Sequence, residues 1–89
     1  MASIRDLKKT INEILGTIIE GVYVWEALTQ QPDSQAGNAI IDEAVAVFND
    51  LIAKVNDRNA ADRNAHLRQV RRELEEKARI LIEKLNTLD

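Results

Sequence analysis

The sequence contains no cysteine, one proline, three glycines, one histidine and a single residue each of tryptophan, tyrosine and phenylalanine. Without cysteine the chain has no disulfide framework, no thiolate nucleophile and no thiolate metal ligand. With one histidine and no glycine-rich loop, it also lacks the usual parts of a metal centre and of a phosphate-binding loop. We therefore expect neither a metal nor another cofactor.

Long uncharged apolar runs are also absent. None approaches the roughly 20 residues that cross a bilayer. The first residues carry Arg5, Asp6 and two lysines in place of the apolar run of a signal peptide. We expect a cytoplasmic protein without a membrane partner.

The composition is that of one small folded domain. The chain has 89 residues, of which 45% are hydrophobic and 30% charged, which is too apolar for a disordered chain. A chain of this length has no room for a second core, so residues 1–89 are predicted to form a single domain. The net charge of −3 argues against nucleic acid as the main partner.

Apolar residues recur every three or four positions in three blocks, as in helices that bury one face. The blocks predict helices over about residues 4–30, 35–56 and 60–87. Pro32 ends the first helix, Asp33 or Ser34 caps the second, and Asn59 caps the third. The predicted core residues are Ile4, Leu7, Ile11, Ile14, Leu15, Ile18, Val22 and Trp25, then Ile41, Ala44, Val45, Phe48, Leu51, Ile52 and Val55, then Leu67, Val70, Leu74, Ala78, Leu81, Leu85 and Leu88.

The two connections are short, and short connections make neighbouring helices antiparallel. The predicted fold is an all-α, antiparallel up-down-up three-helix bundle, elongated because its helices are long for so few residues. Ile40 and Val47 are predicted to lie at the edges of the core stripe of the second helix. The handedness of the bundle stays open, since the third helix can pack on either side of the first pair.

Catalytic chemistry has little support. His66 follows Asp62 by four residues, so the pair can share a proton or a metal, but no second histidine or cysteine completes such a site. The serines and threonines have only this histidine as a base. We predict no catalytic, cofactor-binding or metal-binding residues, and we expect no enzyme activity unless a subunit interface builds a site.

A cluster of arginines marks the third helix and the turn before it, and it allows two interpretations. Arg68, Arg72 and Arg79 share an outer face that can bind nucleic acid or an acidic protein. Alternatively, the arginines pair with glutamates that follow within one turn. The acidic neighbours, and the lack of aromatic residues for base stacking, favour the structural interpretation.

Apolar residues outside the core stripes are the last feature. Ile19, Tyr23 and Val24 leave the stripe of the first helix, and Ile80 lies roughly opposite the stripe of the third. Joined into one patch, they would mark an interface. A tightly wound bundle can instead bury the residues of the first helix, so whether Ile19 and Tyr23 are core or interface stays open.

These observations favour a small non-catalytic helical interaction module that self-associates as a homodimer or binds another helical protein. Its predicted contact residues are Ile19, Tyr23, Val24 and Ile80. The alternative is a nucleic-acid or acidic-partner binder that uses Arg68, Arg72 and Arg79.

Overall fold

The computed structural model describes residues 4–32, 34–59 and 61–88. These residues form three helices and no strand, and every helix packs on the other two. The predicted all-α three-helix bundle is thereby confirmed. The helices are α1 (Ile4–Thr29), α2 (Gln35–Asn56) and α3 (Arg63–Asn86).

The bundle is a narrow rod. It measures 49 × 19 × 17 Å along its principal axes, so one helix length sets the long dimension and a single layer of side chains fills the centre. This agrees with the elongated shape predicted from long helices joined by short turns.

The core is one continuous column along the rod axis. It is built from the inward stripe of each helix, and its most deeply buried side chains include Ile11, Val22, Leu51 and Val70. The buried apolar residues are Leu7, Ile11, Leu15, Ile18, Val22, Ile40, Ala44, Leu51, Val55, Leu67, Val70, Leu74, Ala78 and Leu81.

The buried stripe of α2 is rotated from its predicted position. Ile40, expected at the edge of the stripe, is 4% exposed, whereas Val45, expected in the core, is 45% exposed. Because α2 lies between two neighbours, its buried side points at the space between them and passes through Gly37, Ile40 and Ala44. The prediction of Val45 as a core residue was wrong.

Side-chain caps fix where α2 and α3 begin. Ser34 caps α2 and accepts a hydrogen bond from the Gly37 N–H at 3.2 Å, which confirms one of the two predicted caps; Asp33 lies outside the described residues. Asp62 caps α3 and accepts from the Ala65 N–H at 3.1 Å. The helix therefore begins at Arg63, later than the start that Asn59 predicted, and residue 60 is not among the described residues.

Glu26 stabilises the turn between α1 and α2. Its backbone carbonyl accepts the Gln31 N–H at 3.1 Å, and its carboxylate accepts the Ser34 N–H at 2.8 Å. Gln30 adopts a left-handed conformation with φ of 55°, which is the usual geometry of a residue that ends a helix in this way. One residue thus secures both the end of α1 and the approach to α2.

Glu26 is also the one buried charged residue among the described side chains, with 9% of its surface exposed. The start of α2 packs closely against it. A Cβ atom on Gly37 would lie 2.8 Å from Val22 Cγ1 and 3.2 Å from Glu26 Oε2, so only glycine lets the two helices approach this far without a shift.

We predict that Glu26→Ala lowers the free energy of unfolding by about 1–3 kcal/mol, because it leaves the partly buried Ser34 N–H without its acceptor. Glu26→Gln keeps an acceptor oxygen and should have a smaller effect. Urea denaturation followed by circular dichroism measures both. The control is Glu76→Ala, an exposed position on α3, where we expect a change within about 0.5 kcal/mol. An equally small change for Glu26→Ala would contradict the assigned role.

Candidate interaction surface

The three seams between helices differ in their chemistry. The α2–α3 seam is bridged by charge: Lys54 Nζ lies 2.8 Å from Glu73 Oε1, and Lys84 Nζ lies 2.6 Å from Glu43 Oε2. Both pairs join the two helices across the surface of the bundle. This seam therefore carries paired charges.

Lys54, near the end of α2, is the most extensively paired charge of that seam. It also contacts Asp50 Oδ2 at 3.0 Å within α2. Hydrogen bonding to Glu73, and next to Asp50, raises the pKa of Lys54 above its ordinary 10.5, while desolvation opposes this to a lesser extent. The ammonium is thus held in its charged form by two carboxylates.

His66 lies near Lys54 and hydrogen-bonds to the backbone at the end of α2. Its Nε2 atom is 2.6 Å from the backbone carbonyl of Lys54, and since a carbonyl only accepts, Nε2 carries the proton in this contact. Asp62, which the sequence suggested as a partner for His66, caps α3 instead. Across the described residues, no group of three or more histidine, aspartate or glutamate side chains is arranged to hold a metal ion.

The α1–α2 seam is apolar and open. A groove of about 200 Å³ runs along it and is lined by Asn12, Leu15, Gly16, Ile19, Val45 and Phe48. Tyr23 follows Ile19 by four residues, so it continues the groove along the outer side of α1. Ile41 and Ile52 extend Val45 and Phe48 along α2 in the same way. We call the exposed and half-buried apolar residues of this seam the α1–α2 face; they are Ile19, Tyr23, Ile41, Val45, Phe48 and Ile52.

The α1–α3 seam is the second apolar groove, of about 340 Å³, lined by Glu13, Ile14, Thr17, Ile18, Ile82 and Leu85. Leu85 reaches into the gap beside Gly21, where a Cβ atom would lie 2.8 Å from Leu85 Cδ2. Val24 follows Gly21 by three residues and therefore lies on this side of α1.

The predicted contact residues do not form one patch. Ile19 and Tyr23 lie together on the α1–α2 face, with Ile19 half-buried against the core and Tyr23 57% exposed. Val24 is 54% exposed but belongs to the α1–α3 side. Ile80 is half-buried on α3 and lines neither groove of α1.

Sequence reasoning missed Val45 as part of the surface, and it placed Gly16 outside the core stripe without giving it a role. Val45 has the helical spacing of a core residue, and only its exposure in the bundle reveals it as surface. Gly16 stands outside the core stripe, where nothing lies within 4 Å of the position its Cβ would take. That unexplained glycine was the available signal.

The basic patch predicted on α3 lies in solvent. Arg68, Arg72 and Arg79 are all exposed, and Arg79 Nη1 pairs with Glu83 Oε1 at 2.9 Å. Arg71 Nε lies 3.7 Å from Glu75 Oε1. Among the described residues, Arg68 and Arg72 form no ion pair.

Comparison with known proteins adds no relative: no protein-family model, curated protein or solved structure matches this chain. Within the described ranges, none of the three helices is both long and apolar enough to cross a membrane.

We predict a measurable loss of stability at alkaline pH through Lys54. Because its folded-state pKa is raised, its ion pairs contribute fully below about pH 10, and the contribution is lost as pH rises through the folded-state pKa. Glu73→Gln should flatten this decline. The measurement is the denaturation midpoint in urea from about pH 8 to 12.

Glu75→Gln is the matched control on α3, because Glu75 pairs with Arg71 and arginine does not titrate in this range. An alkaline decline that is equal in wild type and Glu73→Gln would contradict the role of the Lys54–Glu73 pair.

Proposed function

We propose that this protein is a non-catalytic helical interaction module that self-associates through the α1–α2 face. The observation that carries the proposal is the exposure of Tyr23 and Val45 beside half-buried Ile19 and Phe48 along one open seam. Contiguous apolar surface of this kind on a water-soluble domain marks an interaction site.

The composition of the face suits a docking surface. Tyr23 offers a large ring and a hydroxyl, and tyrosine is among the residues most enriched at the energetic centres of interfaces. Val45, Phe48 and Ile52 continue the face along α2 with branched and aromatic groups that lose water when covered. The mechanism is burial of one helical face against another, with charged residues around it setting the orientation.

The α1–α3 groove is the larger of the two, at about 340 Å³, but two features of the other seams favour the α1–α2 face. The α2–α3 seam already pairs its charges across the two helices. On the α1–α3 seam, the gap at Gly21 is filled by Leu85. His66, the single histidine of the chain, is engaged at the end of α2, which favours a binding role over catalysis.

Two adjacent residues of α1 provide a matched test. Tyr23→Glu and Val24→Glu each place a carboxylate at an apolar position that is just over half exposed, but on different sides of the helix. We expect Tyr23→Glu to weaken self-association at least tenfold, about 1.4 kcal/mol, and Val24→Glu to leave it nearly unchanged. Light scattering on a sizing column over a range of concentrations measures the mass.

Circular dichroism shows whether each variant keeps its helices. A wild-type protein that stays a monomer at the highest concentration would refute self-association. A dimer that is lost with Val24→Glu and kept with Tyr23→Glu would move the interface to the α1–α3 side.

A second candidate function rests on Arg68 and Arg72, which are exposed and, within the described residues, unpaired. Two free guanidinium groups one turn apart are suited to phosphates or to the carboxylates of an acidic protein. The net charge of −3 opposes a general attraction to nucleic acid, so this candidate stands second.

This second candidate predicts retention on immobilised DNA or RNA that weakens steeply with added salt. Arg68→Glu with Arg72→Glu should abolish it, whereas reversal of the ion-paired Arg79 should reduce it less. Elution that does not depend on salt, or no retention at low salt, would end the nucleic-acid form of this candidate.

A further inference from the structure

We propose that a second copy of the chain docks antiparallel on the α1–α2 face, about a two-fold axis that passes beside Gly16. This inference rests on the self-association proposed above and specifies its geometry. It draws on the unused gap at Gly16, on the spacing of the two ridges of the face, and on the distribution of charge around it.

Gly16 is the only glycine of the chain whose missing side chain nothing in the bundle uses. A Cβ at Gly21 would meet Leu85 at 2.8 Å, and one at Gly37 would meet Val22 at 2.8 Å, whereas nothing lies within 4 Å at Gly16. Glycine within a helix is less favourable than alanine. The gap beside Gly16 lies in the α1–α2 groove, where it lets the backbone of another helix come close.

The two helices of the face present ridges with the same spacing. On α1 the ridge is Asn12, Gly16, Ile19 and Tyr23; on α2 it is Ile41, Val45, Phe48 and Ile52. Both follow the pattern i, i+4, i+7, i+11, which is the heptad spacing that packs helices side by side. When two such faces pack together, α1 and α2 of both copies form a four-helix core, and α3 of each copy lies on the outside. The expected occupant is thus helical and of the same spacing, which a second copy provides.

Charge separates along the same face. Arg5 and Lys9 lie toward the start of α1. Lys9 follows Arg5 by four residues and precedes Gly16 by seven, so all three lie on one side of the helix. Glu20 follows Gly16 by four residues. Asp42 precedes Val45, which lies beside Ile19, so the two acids lie toward the same end. All four charged residues are exposed.

This separation selects the antiparallel arrangement. In an antiparallel pair, the basic end of each copy lies opposite the acidic end of the other, and the contact occurs twice because the axis is two-fold. A parallel pair would set lysine against lysine and acid against acid. The nearby Glu13 neutralises little of the positive charge of Lys9. Its carboxylate is 4.0 Å from Lys9 Nζ, and both side chains are largely exposed. Charges around an apolar centre orient a partner more than they strengthen its binding.

Charge exchange tests the arrangement. At low salt, Lys9→Glu and Glu20→Lys should each weaken the dimer about threefold to tenfold, because each sets like charges opposite one another twice. Combining both changes in one chain restores opposite charges and should return the dissociation constant to within about twofold of wild type. Sedimentation equilibrium measures all four proteins.

Gly16→Ala separates the role of the glycine from that of the charges. In the monomer the new methyl group has open space, so thermal stability measured at dilution should rise. The same change should weaken the dimer at least threefold, because the methyl group keeps the second helix away. A variant that is more stable and dimerises as well as wild type would overturn the placement of the axis.

Cross-linking gives the geometry directly, because the chain has no cysteine of its own. Asn12→Cys and Glu20→Cys lie four residues on either side of Gly16. When the two are mixed, a short bis-maleimide reagent should join one to the other, and each alone should give little product. Strong product from each variant alone would show a parallel pair, and a stable dimer without mixed product would also overturn the proposal. A wild-type protein that stays monomeric would instead refute self-association itself.

Discussion

The structure depends on the tight connection of α1 to α2 through Glu26. Its backbone and carboxylate accept hydrogen bonds from both sides of the turn, and this fixes two helices antiparallel at close distance. Once they are fixed, α3 buries its leucine-rich stripe in a groove between them. In a rod only 17–19 Å across, each helix is covered on one side only. Apolar residues beyond that side therefore stay at the surface.

The three helices follow from the sequence because each repeats its apolar residues at spacings of three and four over many turns. Their starts were less certain, since a cap is chosen among several polar residues within a few positions. Ser34 agreed with expectation, whereas Asp62 took the place expected for Asn59. Glu26 was missed although it continues the stripe of Ile18 and Val22, because a charged residue in such a position is ordinarily assigned to solvent.

The surface was predictable only in part. Ile19 and Tyr23 were identified from the helical spacing of α1; Ile19 lines the α1–α2 groove, and Tyr23 lies one turn further along the same helix. Helical spacing already puts Val24 on the other side of the α1 stripe from Ile19 and Tyr23, but the pattern of one helix does not say which neighbouring helix covers each side. The rotation that buries Ile40 and exposes Val45 has the same origin: it is set by two partners together.

An odd number of helices has a consequence for the ends of the rod. Because the path runs up, down and up, Ile4 and Asn86 lie at opposite ends, separated by most of the 49 Å length. In the antiparallel pair, the final turn of one copy lies at the same end of the assembly as the first turn of the other. A short linker can therefore join two copies into a single six-helix chain without reversing either rod, while a parallel pair would need a linker as long as the molecule.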